Sequence, residues 1–195
     1  MRRLSLVSAL VLVTVVGVAA QPPRQRDLPH VQQVGAALTE YDDGVVQAIA
    51  AYYHSQRNHD GRWLLVEFGF HSQIPADLQR GRIELVTPGG DVVPLAAQRQ
   101  WSQDSMRARQ LLQQAQPTRH QVSTYFRRLA DVEPLRFFGR PEDGQTVLDR
   151  VSTSFDRVLL GDLLFESPTG GWARGRHVLV VRLDRDVVQL PIDLR

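Results

Sequence analysis

Arg62-Trp63-Leu64-Leu65-Val66-Glu67-Phe68-Gly69-Phe70 decides the fold. The run is rich in β-branched and aromatic residues and contains no proline, so it reads as a strand. Successive side chains on a strand point to opposite faces. Leu64, Val66, Phe68 and Phe70 therefore share one face, and Trp63, Leu65, Glu67, Gly69 and His71 share the other. The wholly apolar face is assigned to the core, because a slip of one residue would turn all four side chains to solvent. Upstream, Val45 to His54 has the same composition. The polar segment Ser55 to Gly61 separates the two and ends in Asp60-Gly61, a strong turn dipeptide. Together they predict an antiparallel hairpin.

Further along the chain, Arg82 to Thr87 and Val92 to Ala96 flank Pro88-Gly89-Gly90-Asp91, which predicts a second hairpin. The period then changes. Trp101, Ala108, Leu111, Leu112 and Ala115 recur at helical spacing, so Ser102 to Gln116 reads as an amphipathic helix stopped by Pro117. Thr118 to Gln121 has the spacing of a capping box. Val122, Tyr125, Phe126 and Leu129 follow at helical offsets, which predicts a second helix and hence a helical hairpin inserted between about 101 and 130. Leu135 to Phe138, Leu159 to Glu166, His177 to Leu183 and Val187 to Ile192 read as strands, with turns at Pro168 to Gly171 and Asp184 to Asp186. Thr146 to Phe155 fits either a helix or a strand, and Val31 to Tyr41 fits either a short helix or a first edge strand.

Seven or eight short strands with turns between them predict a mainly β chain, an immunoglobulin-like two-layer β-sandwich with a helical hairpin insertion. Gly171-Trp172 followed by Gly175-Arg-His-Val-Leu-Val-Val-Arg182 resembles the closing hairpin of many bacterial immunoglobulin-like sandwiches, in which a Trp caps one end of the core. That resemblance covers about the last 25 residues and implies an architecture rather than an activity.

The N-terminus carries an address. Met1-Arg2-Arg3 is a positive n-region, Leu4 to Val18 is an almost unbroken apolar run, and Val18-Ala19-Ala20 presents the small residues a signal peptidase admits. Residues 1–20 are read as a cleavable signal peptide, 21–44 as a flexible leader and 45–195 as one sandwich domain. The apolar run is shorter than the roughly twenty residues of a membrane-spanning helix, so no stable insertion after cleavage is expected.

All 23 basic residues are Arg, and with Arg2 and Arg3 removed the remaining 21 face 21 acidic residues. A formally neutral chain lacks the surplus of positive charge that binding nucleic acid or an anionic membrane requires. The absence of cysteine excludes a disulfide framework and thiolate chemistry, and in an exported domain it suggests a bacterial periplasm or cell exterior.

His54, His59, Asp60, Glu67 and His71 form the one tempting cluster for metal or catalysis. On a strand, however, Glu67 and His71 are separated by roughly 13 Å and cannot share an ion. The histidines are therefore read as solvated loop and edge residues, with His120 from the insert as the side chain that would complete a three-histidine site. Asp184 and Asp186 read as a charged hairpin tip. Glu67 and Glu84 would make an acid and base pair only if neighbouring strands aligned them. Trp63, Trp101, Trp172, Tyr52 and Tyr53 offer rings for stacking on sugars, against which stands ordinary burial in the core. No catalytic, cofactor or metal residue is assigned. The leading expectation is a non-catalytic exported domain that binds a protein or glycan at the cell envelope, and the alternative is an exported hydrolase with a site assembled from distant loops.

Overall fold

The structure, a computed structural model, describes residues 28–59, 61–127 and 131–195. Residues 1–20, read as a signal peptide, and Asp60 and Leu129 lie outside them. No helix among the described residues is long and apolar enough to cross a membrane. The chain is mainly β, with twelve strands in three sheets among the described residues.

The largest sheet has the order β1-β2-β3-β4-β10-β8. Its first four strands are a meander: β1 (Val31–Gly35), β2 (Leu38–Asp42), β3 (Val46–Ala51) and β4 (Trp63–Ser72). The hairpin expected around Gly61 is β3–β4, antiparallel in the register Ala48↔Phe70. Next to β4 lies β10 (Arg157–Glu166), antiparallel in the register Leu163↔Val66, and at the edge β8 (Asp131–Pro134) runs parallel to β10. The second sheet, in the order β12-β11-β6-β7, contains the expected hairpins β6 (Ile83–Val86) with β7 (Val92–Pro94) and β11 (Gly175–Arg182) with β12 (Val187–Leu194). β5 (Ala76–Gln79) and β9 (Arg150–Thr153) form a small third sheet.

One apolar cluster joins the two larger sheets. Leu64, Val66, Phe68 and Phe70 of β4 pack in it with Leu85, Leu179, Leu190 and Ile192 of the second sheet. The face of β4 assigned to the core is thus the inner face. Thr39 of β2 reaches the second sheet directly, its hydroxyl donating to the Pro191 carbonyl at 3.1 Å.

The other face of β4 is buried as well, which period 2 alone does not announce. Trp63 and Leu65 pack beneath α1 (Gln98–Gln103) and α2 (Ser105–Ala115), against Trp101, Ala108, Ala115 and Leu164. The helix expected over 102–116 is broken at Asp104, whose carboxylate accepts the Trp63 Nε1–H at 2.8 Å. Further along the sheet, Phe126 and Val122 lie on Gly69. A Cβ there would stand 2.7 Å from Phe126 Cε2 and 2.8 Å from Val122 Cγ1, so only glycine admits this contact.

Four expectations are corrected. Residues 31–42, placed with the leader although Val31 to Tyr41 also fitted a short helix or a first edge strand, form β1 and β2, and the exposed Gln32 and Gln33 are tolerated because β1 lies at the sheet edge. The second helix of the insert is a single 3-10 turn, Val122–Tyr125. Thr118 closes the first helix instead of opening another, its hydroxyl donating to the Ala115 carbonyl at 2.9 Å. Leu135–Phe138 is not a strand; the paired segment is β8, just before it. The ambiguous stretch 146–155 contributes a strand, β9.

Candidate functional site

On the insert-facing side of the large sheet, Glu67 of β4 stands directly opposite Asp162 of β10. Such cross-strand neighbours have Cβ atoms about 4.5–5.5 Å apart, and like charges there repel. The segment after α2 relieves the pair. Arg119 holds Asp162 at 2.6 Å, and the His120 backbone N–H donates to Glu67 Oε2 at 3.1 Å. Burial pushes the Glu67 carboxyl up to about 6, and Asp162 adds to the rise, while the His120 amide and the Arg119 charge act against it. The His120 ring stacks on Tyr53 at 5.2 Å, and its Nε2 lies 2.6 Å from the Tyr125 hydroxyl. Next to it, the Gln47 amide donates to Glu40 and to the Tyr125 carbonyl, so a belt of paired polar groups crosses the sheet between the two apolar clusters under the insert.

Asp162 also faces a cleft of about 310 Å³ between α2 and the stretch from Leu135 to Gln145. Arg109 and Leu112 of α2 lie on one wall and Phe138 and Arg140 on the other, with Trp101, Asp162 and Leu164 also among the lining residues. A second hollow of about 490 Å³ shares Leu135, Phe138 and Gln145 with the first, so the two flank Phe138. Buried Arg80 sets the position of this wall. It donates to Asp149, to the Ala96 carbonyl at 2.9 Å and to the Phe137 carbonyl, and its guanidinium lies 5.0 Å from the Phe138 ring centroid. Gln98 of α1 ties the wall to the helices by donating to the Gly139 carbonyl at 2.6 Å.

Two polar atoms of the cleft residues are buried without a hydrogen-bond partner: the donor Trp101 Nε1 and the acceptor Asp162 Oδ1. Unmet buried groups are uncommon in native proteins; these two belong to residues at one cleft but are themselves closed off from it. Trp172 Nε1 and His177 Nε2 are also unmet, but Trp172 packs in the main core and His177 is fully buried. In the hollow at Asp42 and His71, Asp42 Oδ2 is likewise buried without a well-aligned hydrogen bond, although Arg127 lies 2.7 Å from it as an ion pair, and His71 Nδ1 meets the Arg157 carbonyl at 3.0 Å. In the hollow at Asp184 and Asp186, Asp184 is paired with Arg82 and Asp77 with Arg150.

The histidines expected to be solvated are buried instead: His54, His59 and His71 are each under 8% exposed. Burial pulls the His54 ring below its ordinary value. His59 Nε2 meets the Arg195 carbonyl at 2.6 Å, near the start of β4, while His71 is near its end. Among the described residues no three His, Asp or Glu side chains are grouped to hold a metal ion. His120 folds over the sheet, but against Tyr53 and Glu67. Glu84 lies in the second sheet, paired with Arg182, so the carboxylate opposite Glu67 is Asp162. Trp63, Trp101 and Trp172 are buried and present no free ring face for stacking. The sequence reading missed Asp162, Arg109 and Arg140; no local pattern signals Asp162, because its position level with Glu67 is set by the pairing of β10 with β4. Comparison of the chain with protein-family models, curated proteins and solved structures finds no match.

Proposed function

We propose that this chain is a non-catalytic, exported domain that binds a glycan at the bacterial cell envelope, through the cleft between α2 and residues 135–145. The observation that supports this reading is the cleft itself, in which the apolar Phe138 and Leu112 stand beside the charged Arg109, Arg140 and Asp162. A sugar hydroxyl both donates and accepts, so the hydroxyls of a ring meet the charged groups of the lining while an apolar face of the ring lies against Phe138 and Leu112. Two hollows flanking Phe138 suit a ligand longer than one ring. The finer architecture belongs to this proposal: two mostly antiparallel layers over one core, of immunoglobulin-like shape, with a four-strand meander that the immunoglobulin strand order does not contain.

Export rests on residues 1–20, and the protein recovered from its host is expected to begin at Gln21. An intact mass that includes residues 1–20 overturns that expectation. Binding is tested by titration calorimetry against oligosaccharides of envelope polymers. Arg109→Gln, which removes a charged donor of the lining, and Phe138→Ala, which removes its apolar wall, are each expected to weaken binding about tenfold, the worth of one well-formed contact. Unchanged affinity in both variants refutes the site.

A second reading, an exported hydrolase, draws on the opposed carboxylates, with Glu67 shifted to about 6 and Asp162 paired with Arg119. Against it stands the position of Glu67, which is 6% exposed and lies beneath the 119–120 segment. Glycosidase activity that disappears in Glu67→Gln would favour this reading over the first.

A further inference from the structure

We infer that residues 119–127 are a pH-responsive strap across the insert-facing side of the large sheet, seated while Glu67 and Asp162 share a proton and loosened when both are ionised. The strap meets four neighbouring strands in turn. Arg119 pairs with Asp162 of β10 at 2.6 Å, and the His120 backbone N–H donates to Glu67 of β4 at 3.1 Å. The Tyr125 carbonyl accepts from Gln47 of β3 at 3.0 Å, and Arg127 pairs with Asp42 of β2 at 2.7 Å. Between these contacts Val122 and Phe126 rest on Gly69, over an apolar floor of Leu38, Ile49, Ala51 and Val158. The regular element of the strap is one 3-10 turn, Val122–Tyr125, so its position depends on what it touches below.

Glu67 is the contact that titrates. On β10 it faces Asp162; on β3 its cross-strand neighbour is the uncharged Ala51. From the strap it meets Arg119 and the His120 amide, while the His120 ring lies on Tyr53 with its Nε2 at the Tyr125 hydroxyl. One guanidinium thus stands against two carboxylates. With both ionised, a negative charge is left over at a buried side chain beneath the strap, where it is poorly hydrated. A proton on Glu67 removes that charge; lifting the strap is the other remedy, because it returns the carboxylate to water. Burial raises the Glu67 carboxyl to about 6, so the seated form is fully favoured below the ordinary value of 4.5 and loses ground as pH rises through 6.

The test is hydrogen exchange of the purified full chain at pH 5 and pH 7, read by NMR at the His120, Thr124 and Phe126 amides and corrected for the intrinsic pH dependence of exchange. In the wild type the protection of these amides is expected to fall about fivefold between the two pH values. Local opening exposes little surface, so exchange at the strap is expected to ignore urea below the unfolding transition, whereas exchange in β11 and β12 rises with it. In Glu67→Gln, which is neutral at both pH values and keeps an acceptor for the His120 amide, the fall disappears. Equal protection at pH 5 and pH 7 in the wild type, or a fall that persists in Glu67→Gln, overturns the inference. Strap exchange that climbs with urea as steeply as that of β11 and β12 reports global unfolding and overturns it too.

Discussion

Glu67 concentrates the consequences of burial at a single residue. Its carboxyl titrates near 6 in the folded chain against an ordinary value of 4.5, so between those values the native state holds the proton more tightly than the unfolded one. The sign follows: this contribution is fully present below pH 4.5, is lost as pH rises towards 6, and is constant above. Allowing for solvent screening, the loss is of order 1 kcal/mol. Urea unfolding at pH 4.5 and pH 7 is expected to show that step in the wild type and not in Glu67→Gln. Other groups titrate over the same range, so the difference between the two proteins is the quantity to read. Identical pH profiles would show that Glu67 is not shifted. At this scale the sequence was partly legible. Glu67 stood out as a lone acid in an apolar strand, but its partner did not, because period 2 assigns faces within one strand and says nothing of which strand lies beside it.

Elements follow the same division. The β3–β4, β6–β7 and β11–β12 hairpins were readable because each carries its own turn residues and its own apolar pattern, both local properties. β8 was not, since a four-residue edge strand paired in parallel has neither a turn to announce it nor an apolar face of its own. The helical hairpin failed for a related reason: Val122 and Phe126 have helical spacing, but what places them is contact with Gly69 across the sheet. Arg80 shows how far such wiring reaches, joining the turn before β6 to residues 96, 137 and 149. Arg80→Met keeps most of the side-chain length and leaves the Ala96 and Phe137 carbonyls without this donor. A loss of about 2–4 kcal/mol is expected in urea unfolding, together with weaker ligand binding, because the cleft wall loses its anchor. Normal stability in this variant would show that the carbonyls find other donors.

For the whole molecule, the arrangement is a large sheet buried on both sides, by the second sheet on one face and by the insert on part of the other. Phe68 is 1% exposed at the centre of the main core. Phe68→Asp places an unpaired charge there, and a domain with about 5–15 kcal/mol of stability is not expected to remain folded. Loss of the far-ultraviolet β signal and rapid digestion by protease are the expected outcomes. A folded, protease-resistant variant would mean that the faces of β4 are reversed.

The bond from Thr39 to Pro191 joins residues 152 positions apart. Closing so long a loop costs entropy before any contact repays it, and chains wired in this way fold in milliseconds to seconds, whereas locally wired helical bundles fold in microseconds to milliseconds. β12 supplies part of the inner surface on which β2 rests, so the early strands have no finished core to settle into until the late one arrives. A nascent chain of this topology therefore does not complete its core until β12 has been made. If the chain is exported as proposed, that delay would leave the polypeptide without a finished core at the moment it meets a secretion channel.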